Sequence, residues 1–284
     1  MRQSSAPRHL GVYLREDRSA RDVTSLATIP ADLLAQGTLE VQAPGVVSGI
    51  EAAVALAKHS GLAVRSRIRD GSRVRKGQAL LVLQGPARKV LSVERTLVNL
   101  TMHLSGVATA TALLVDRARA ANPVFRIAAT RKTTPGLRDL EKAAVVHGGG
   151  EPHRRDLSSA ILVKGNHEAL VGFEQAVLRA SAYARRHRLT LMIEVASTEE
   201  ARSAAQAGAH RILVDNVPPA GVRKICRALE ELGLRDRVEV EATGGISLSN
   251  VAKFARSGAD LASVGEITHS ARGLRMHLVV RPLT

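Results

Sequence analysis

The sequence predicts an α/β protein whose C-terminal part is a barrel of parallel strands. Three observations favour this class. From about Phe125 onward, short β-rich segments alternate with amphipathic helices. Such alternation implies parallel strands joined by helical crossovers. Six such units are more typical of an α/β barrel than of a doubly wound sheet, because no GxGxxG fingerprint marks a dinucleotide site.

The barrel prediction depends on the order of these segments along the chain. The β-rich segments cover residues 125–129, 160–163, 190–195, 211–214, 238–242 and 261–264. The helical segments between them cover residues 135–147, 169–186, 197–207, 218–232 and 247–257. We therefore assign residues 106–273 to a catalytic α/β barrel domain.

The first hundred residues have a mixed pattern, and we assign residues 1–105 to a separate N-terminal domain. Helices are expected around His9–Glu16 and Gly49–Ser60, and extended segments at Thr38–Val46, Ala63–Arg69 and Ala79–Leu83. A long amphipathic helix starts at Pro86, and Gly106 is expected to break it in two. The last segment, 274–284, is expected to return to this domain as a strand.

Composition excludes several classes of protein. The chain has 284 residues and a formal net charge of +15, with 45% hydrophobic residues and one cysteine, Cys226. A single cysteine excludes an internal disulfide framework and a cysteine-rich zinc site. No apolar run of membrane-spanning length and no signal-peptide core were identified. These features predict a cytoplasmic protein without a membrane anchor.

The positive charge has two interpretations. Basic residues cluster in the segments 65–76 and 185–188, which is compatible with nucleic acid, an acidic membrane surface or anionic substrates. Proteins that bind single-stranded nucleic acid usually add aromatic stacking platforms, whereas this chain has only three Phe, two Tyr and no Trp. We therefore interpret the two clusters as solvated surface and do not expect a nucleic-acid partner.

Reactive side chains follow the predicted strands. The loops after the strands of an α/β barrel open onto one face, where the chemistry of such folds is located. We therefore expect one site to contain the groups at the strand ends, namely Thr130, Arg131, Lys132, Lys164, Asn166, His167, Glu194, Asp215, Asn216, Thr243, Gly244, Gly245 and Gly265.

These groups suit a substrate with several negative charges. Basic side chains at Arg131, Lys132, His153, Arg154 and Lys164 would form a cationic pocket. The carboxylates of Glu194 and Asp215 could hold Mg²⁺ or ribose hydroxyls. Gly244 and Gly245, followed by a helix, offer backbone amides to a phosphate. Taken together, they predict a site for a polyanion and a phosphorylated sugar.

At these residues the sequence resembles the quinolinate phosphoribosyltransferase family. The resemblance covers nearly the whole chain. It is carried by RDVTSLATIP (21–30), APGVVSGI (43–50), GPARKVLSVERTLVNLTMHLSGVATAT (85–111), ATRKTTPGLRDLEKAAVVHGGG (129–150), PHR (152–154), LVKGNH (162–167), IEV (193–195), LVDN (213–216), TGGI (243–246) and SVGEITHS (263–270).

The resemblance implies an activity, a fold and an assembly. Members of the family join quinolinate to 5-phosphoribosyl-1-pyrophosphate (PRPP) with Mg²⁺, giving nicotinate mononucleotide, pyrophosphate and CO₂ for NAD biosynthesis. The implied fold is an N-terminal α/β sandwich plus an incomplete α/β barrel. The implied assembly is a homodimer or higher even oligomer with shared active sites.

The resemblance also implies roles for individual residues. Arg95 would enter the partner's site and bind a quinolinate carboxylate, and Lys132 would contact both ligands. Glu194 and Asp215 would take the ribose hydroxyls and the metal, and together with Lys132 they are the expected catalytic residues. The remaining substrate-binding residues would be Thr130, Arg131, His153, Arg154, Lys164, Thr243, Gly244, Gly245, Val264, Gly265 and Glu266.

Two alternative functions remain open from the sequence. One is a paralogous phosphoribosyltransferase that acts on another heteroaromatic acid. The other is a non-catalytic protein on the same fold that binds polyanions or nucleic acid. Phosphate contacts would make nucleic-acid binding strongly dependent on salt, so a salt titration against DNA would distinguish the second alternative from an enzyme.

Overall fold

The computed structural model describes residues 10–283, and all structural statements refer to this range. Residues 1–9 and 284 lie outside it, including His9 of the predicted first helix and the last residue of the predicted C-terminal strand. The described part contains helices and strands along its whole length. It divides into two compact units. Within the described range, the first comprises residues 10–112, 133–149 and 267–283, and the second comprises Leu113–Lys132 and Gly150–Glu266.

The strands are numbered in chain order. They are β1 Leu34–Val41, β2 Gly45–Val46, β3 Ala63–Arg67, β4 Arg73–Val74, β5 Ala79–Pro86, β6 Arg126–Ala128, β7 Ile161–Val163, β8 Leu191–Val195, β9 Arg211–Asp215, β10 Glu239–Thr243, β11 Leu261–Ser263 and β12 Met276–Pro282. All six predicted barrel strands are present, with ends that differ by at most one residue.

The α-helices are numbered in the same way. They are α1 Gly11–Glu16, α2 Val23–Thr28, α3 Ile50–His59, α4 Ala87–Arg119, α5 Arg138–His147, α6 Gly165–Val171, α7 Phe173–His187, α8 Thr198–Gln206, α9 Pro219–Glu231, α10 Val251–Ala255 and α11 Glu266–His269. Short 3₁₀ turns occur at Ser19–Arg21 and Arg235–Arg237.

The first unit contains a four-stranded sheet in the order β12-β1-β5-β3. Its strands pair antiparallel, and Leu39 of β1 lies opposite Leu278 of β12 and Leu81 of β5. Side chains on β1 alternate between buried and accessible positions, as expected for a sheet with one covered face. Helix α3 packs on β3 and β5 and buries an apolar face that includes Leu56. This is an α/β layered arrangement, as predicted.

Helix α4 corrects two expectations. It runs without a break from Ala87 to Arg119, so the prediction that Gly106 interrupts it was wrong. A Cβ atom at Gly106 would lie 2.3 Å from the carbonyl oxygen of Arg272. The glycine therefore permits a close approach of two backbones within the first unit.

The same helix also contains a long apolar stretch. By length and composition α4 could cross a membrane, with a window of mean hydropathy 1.4. The expectation that no apolar run of that length exists was therefore also wrong. In the structure 67% of this window is buried inside the protein. A core helix of a large domain needs the same composition as a membrane span, so the pattern is explained by burial.

The second unit contains a six-stranded parallel sheet in the order β6-β11-β10-β9-β8-β7. Side chains from several of these strands face one shared interior. In the described residues, β6 does not pair with β7 at the edge of the sheet. Glu151 lies there instead, because it exchanges backbone hydrogen bonds of 2.8 Å with Ala129 and Ile127. The predicted incomplete α/β barrel is therefore confirmed.

One predicted barrel helix is divided. The segment 169–186 was expected to be a single helix, whereas α6 ends at Val171 and α7 begins at Phe173. Gly172 lies between them with a φ of 78°, a conformation that glycine adopts without a steric penalty and that ends a helix. Helix α6 also begins earlier than predicted, at Gly165, shortly after β7 ends.

Candidate active site

A cavity of about 600 Å³ opens at the carboxyl ends of the parallel strands in the second unit. Parallel strands end on the same edge of their sheet, so the residues that follow them converge there. Eleven of the predicted site residues line this cavity: Thr130, Arg131, Lys132, His153, Arg154, Lys164, Glu194, Asp215, Thr243, Gly244 and Gly245. Residues that are up to 115 positions apart in sequence are thereby brought into one pocket.

Below the cavity, one side of the barrel interior is apolar. Ala160, Met192 and Leu213 form a buried cluster, and Leu162 packs against it. Leu162 and Leu213 also line the cavity. These side chains come from β7, β8 and β9 and their approaches, and they give the pocket an apolar wall against which a flat ring can lie.

A charged chain of residues occupies the other side of the interior. Arg126 on β6 contacts Glu151 at 3.2 Å and Glu239 at 2.7 Å. Arg211 on β9 contacts Glu239 at 2.7 Å and Glu241 at 3.1 Å. Parallel pairing places Arg211 opposite Glu239 and places Leu213 opposite Glu241. Charges of alternating sign therefore extend through the interior up to the cavity.

The end of this chain of charges is a buried pair beneath the pocket. Glu241 is fully buried, and its Oε2 accepts a hydrogen bond from Nε2 of His153 at 3.1 Å. Burial alone would raise the pKa of Glu241, but the hydrogen bond from His153, with the charge of Arg211, holds that pKa below its ordinary value. Glu241 is thus an ionised carboxylate inside the protein.

Basic side chains form one wall of the cavity. The pKa of Arg154 is lowered, first by burial and then by the nearby charge of Arg131. The Nη1 atom of Arg154 donates a hydrogen bond to the carbonyl oxygen of Ala160 at 3.3 Å. The hydroxyl oxygen of Thr130 accepts a hydrogen bond of 3.0 Å from the backbone amide of Lys132. Two like charges held close together favour binding of an anion between them.

Carboxylates form the opposite wall. The pKa of Glu194 is raised, first by burial and then by the charge of Asp215, while Lys164 and the backbone amide of Gly165 oppose the shift. The two carboxylates are therefore close enough to repel each other. Asp215 also accepts a hydrogen bond of 2.8 Å from the side chain of Asn216.

The glycine pair after β10 forms a tight turn against Asn216. Gly244 has a φ of 88°, and a Cβ atom there would lie 2.2 Å from Oδ1 of Asn216. The backbone amide of Asn216 donates to the carbonyl oxygen of Thr243 at 2.9 Å. Asn250 closes the turn, since its side chain donates to the carbonyl oxygen of Gly245 at 2.9 Å. Backbone atoms therefore approach the cavity without an intervening side chain.

Four predicted site residues do not line this cavity. Arg95 belongs to the first unit, where it lies on α4 with an exposed side chain and lines a second cavity of about 510 Å³. Val264 is buried, and its amide donates to Ala128 at 3.0 Å. Gly265 and Glu266 follow β11, and Glu266 is exposed at the start of α11.

Other residues line the cavity but were not predicted as site residues. They are Ala129, Leu162, Gly165, Leu213, Glu241 and Ser263. Asn166 and Asn216 also line the cavity and were expected there as strand-end groups, whereas His167 does not line it. A signal existed for Glu241, because VEVEA at 238–242 places Glu239 and Glu241 on one face of a strand. Acidic residues on the inward face of a barrel strand indicate interior ion pairs, and they mark the network described above.

Comparisons with known proteins agree with this geometry. Residues 22–105 match the family model "Quinolinate phosphoribosyl transferase, N-terminal domain", and residues 107–279 match "Quinolinate phosphoribosyl transferase, C-terminal domain". A probable nicotinate-nucleotide pyrophosphorylase [carboxylating] from Methanothermobacter thermautotrophicus is 40% identical over 95% of this chain and 97% of its own length. The nicotinate-nucleotide pyrophosphorylase [carboxylating] of Homo sapiens is 33% identical over 94% of this chain and 88% of its own.

A solved structure shows the same architecture. The crystal structure of NadC from Streptococcus pyogenes is 32% identical, covers 97% of this chain and 96% of its own, and has a TM-score of 0.88. The resemblance inferred from the sequence motifs is thereby confirmed. The chain belongs to the quinolinate phosphoribosyl transferase family.

Proposed function

We propose that this protein transfers the phosphoribosyl group of PRPP to quinolinate with loss of CO₂, giving nicotinate mononucleotide and pyrophosphate for NAD biosynthesis. One observation supports this activity above others. A single cavity has a cationic wall at Arg131 and Arg154, an acidic wall at Glu194 and Asp215, and a glycine turn between strand and loop. Its volume of about 600 Å³ is in the range of small-molecule sites.

The cationic wall suits the acceptor. Quinolinate carries two adjacent carboxylates on a flat ring, and guanidinium groups bind carboxylates through paired hydrogen bonds. Arg131 lies close enough to Arg154 to help lower the pKa of Arg154, and Lys164 follows the end of β7. The apolar wall at Leu162 and Leu213 would contact the face of the ring.

The reaction needs positioning and charge stabilisation rather than a covalent nucleophile. The pyridine nitrogen forms a bond to C1 of the ribose as the bond to pyrophosphate breaks. The carbon–carbon bond to the 2-carboxylate then breaks and CO₂ leaves, while the electron pair stays on C2, where the adjacent positive nitrogen stabilises it until C2 takes up a proton. Glu194 and Asp215 would stabilise the positive charge that develops at C1, and Lys132 would neutralise charge on both ligands.

The carboxylates also suit Mg²⁺, which the family uses. The described residues contain no group of three or more His, Cys, Asp or Glu side chains that could hold a metal by themselves. Mg²⁺ is commonly bound through one or two carboxylates together with substrate phosphates and water. Glu194 and Asp215 fit this role, since they already repel each other. When bound, the ion would neutralise negative charge on the pyrophosphate.

The sugar phosphate would bind at the glycine turn. Thr243, Gly244 and Gly245 line the cavity, and backbone amides at such a turn can donate to phosphate oxygens. Val264, Gly265 and Glu266 follow the neighbouring strand β11 and remain proposed contacts of the same phosphate. The substrates are thus small molecules, and nucleic acid is not an expected partner.

The test is product formation from quinolinate, PRPP and Mg²⁺, with nicotinate as a parallel acceptor. We expect nicotinate mononucleotide and CO₂ from quinolinate only. Formation from nicotinate alone, or no product while PRPP still binds, would instead favour a paralogue with another acceptor. We also expect Glu194→Gln and Asp215→Asn to lower kcat strongly with little effect on quinolinate binding. Glu199→Gln, an exposed residue of α8, is a matched control that keeps full rate.

A homodimer with shared sites is part of the proposal. Arg95 has a side chain that is 65% exposed, on a surface of the first unit, and would reach the partner's acceptor pocket. Arg95→Ala and Lys132→Ala should each be inactive, and mixing them should restore about a quarter of the wild-type rate, because half of the dimers then contain one intact site. No recovery in a mixture shown to exchange subunits would exclude the shared site.

The proposed location is the cytoplasm. The only cysteine, Cys226, is buried and free, and burial raises its pKa to about 11, which leaves it as an inert thiol. The apolar helix α4 is packed inside the protein. Fractionation of the native host cell would test this location. Relatives differ in compartment, since the Arabidopsis thaliana protein is described as chloroplastic.

A further inference from the structure

The ring of His153 is held at both nitrogens by the protein itself. Its Nδ1 accepts a hydrogen bond of 2.8 Å from the backbone amide of Arg154, so the ring proton lies on Nε2. That proton is directed at Oε2 of Glu241, 3.1 Å away. The side chain is only 6% exposed. Neither nitrogen is therefore directed at a substrate carboxylate in this arrangement.

The backbone at His153 is in a conformation that needs support. Its φ of 55° lies in the left-handed region, which residues with a side chain rarely adopt. Such conformations persist where the surrounding contacts determine them, and they concentrate at functional sites. For His153 the contacts come from Arg154 on one ring nitrogen and from Glu241 on the other.

The segment that carries Arg154 is anchored upstream of this residue and also by the guanidinium itself. Upstream, Glu151 is paired with the edge of β6 through its backbone and with Arg126 through its side chain. Downstream, Arg154 itself reaches the carbonyl oxygen of Ala160 at 3.3 Å. The contact between His153 and Glu241 supplies the anchor in the middle of the segment. This anchor ties a loop at the edge of the sheet to strand β10 in its interior.

Glu241 is in turn fixed from below. The Nη1 atom of Arg211 contacts the same Oε2 atom at 3.1 Å, and Arg211 is bound through Nε and Nη2 to Glu239. A carboxylate that is bonded both to an imidazole and to a guanidinium nitrogen has few alternative positions. The position of His153 is therefore determined by Glu241, whose other contact is Arg211, a residue that does not line the cavity.

We propose that Glu241 is a positioning residue for the acceptor pocket, which fixes the ring of His153 and, through it, the backbone and guanidinium of Arg154. This proposal rests on the function proposed above and deepens it. Arg154 must be held beside Arg131 although the two charges repel, and a defined backbone keeps both guanidinium groups directed at one dicarboxylate. Glu241 acts on quinolinate binding only through His153.

Steady-state kinetics with each substrate varied will test the proposal. We expect Glu241→Ala to raise KM for quinolinate about ten-fold or more while KM for PRPP stays within about two-fold. Glu241→Gln should restore most of the loss, because its carbonyl still accepts from Nε2 of His153. The double variant of Glu241→Ala with His153→Ala should bind quinolinate no worse than His153→Ala alone.

Glu239→Gln is the matched control. It removes the same charge from the same strand and contacts Arg211, but it does not touch His153 or line the cavity. KM for quinolinate should stay within about two-fold of wild type in this variant. Three results would each overturn the proposal. The first is an equal rise in KM for quinolinate in Glu239→Gln, and the second is an equal rise in KM for PRPP in Glu241→Ala. The third is a double variant in which the effects of Glu241→Ala and His153→Ala multiply.

A measurement without turnover separates this proposal from the proposed function. Nitrogen-15 NMR of the imidazole rings should show His153 in wild type with its proton on Nε2 and a bonded Nδ1. That signature should persist in Glu241→Gln and disappear in Glu241→Ala. A ring with its proton on Nδ1 in wild type would overturn the positioning role, even if every alanine variant failed to fold. Absence of quinolinate turnover in wild type would instead refute the proposed function and leave the NMR result standing.

Discussion

The two units of this protein each contain a buried glutamate paired with a histidine, and the two pairs are built differently. In the first unit, Oε1 of Glu141 contacts Nε2 of His103 at 2.7 Å, and Oε2 accepts from the backbone amide of Thr134 at 3.0 Å. In the second unit, Glu241 uses one oxygen for both His153 and Arg211. Both carboxylates are fully buried, and both have a pKa below the ordinary value in spite of that burial.

The difference lies in what completes each pair. The second hydrogen bond of Glu141 comes from a neutral backbone amide. Its partner His103 is about one-third exposed, so water also solvates this pair. The second contact of Glu241 comes from Arg211, a permanent cation whose side chain is only 13% exposed. A buried carboxylate bonded to amides is a local structural feature, whereas one bonded to a guanidinium is part of a larger network. The two pairs therefore respond differently to the same substitution.

The largest expected effect is the loss of stability on removing Glu241. Glu241→Ala removes the buried carboxylate that Nε2 of His153 and Nη1 of Arg211 contact. Breaking a buried pair in this way should lower the free energy of unfolding by about 3–5 kcal/mol. Denaturant-induced unfolding followed by circular dichroism measures this change. Glu239→Ala is the control on the same strand, since its side chain is 41% exposed and can be replaced by water. Equal losses in the two variants would remove the distinction between buried and accessible members of the network.

Removing the other glutamate should cost less. Glu141→Ala deletes two hydrogen bonds, but His103 can turn to water, so the free energy of unfolding should fall by about 1–3 kcal/mol. The amide of Thr134 loses its acceptor and should exchange with solvent faster. Hydrogen exchange at Thr134 measures this local effect, with Thr101, which is buried in α4, as an unaffected reference. Unchanged exchange at Thr134 would show that its amide has another acceptor.

The pH dependence of stability follows from the lowered pKa of Glu141. Its ordinary value is 4.5, and hydrogen bonds from His103 and Thr134 outweigh burial and lower it. A carboxyl with a lower pKa in the folded state stabilises the fold above its unfolded pKa, and this contribution is lost as pH falls through the folded pKa. The stability difference between wild type and Glu141→Gln should be constant above about pH 5 and shrink below it. A difference that grows as pH falls would have the opposite sign and contradict the assignment.

The sequence predicted the barrel and the rim of its site better than it predicted this interior. Strand-end groups such as Lys164 and Asp215 could be placed, because parallel strands always end on one edge. The role of Gly106 in a continuous helix could not be predicted. The glycine is needed because of its close contact with the backbone of Arg272, which is 166 residues further along the chain. Glu141 and Glu241 were missed for a related reason. Their role comes from partners that are distant in sequence, and no local pattern records the partners of a buried charge.

The smallest expected effect comes from exchanging the histidine of the first pair. In His103→Gln the side-chain amide can still donate to Glu141, and the position is accessible to water, so the free energy of unfolding should change by less than about 1 kcal/mol. In His153→Gln the polar atoms lie one bond further from the backbone than Nδ1, so the side chain can still donate to Glu241 but loses the contact with the amide of Arg154. His153→Gln should therefore be the less stable variant. Thermal unfolding of the two variants under identical conditions measures the difference. A loss of stability for His103→Gln as large as that for His153→Gln would mean that exposure to water does not protect the first pair.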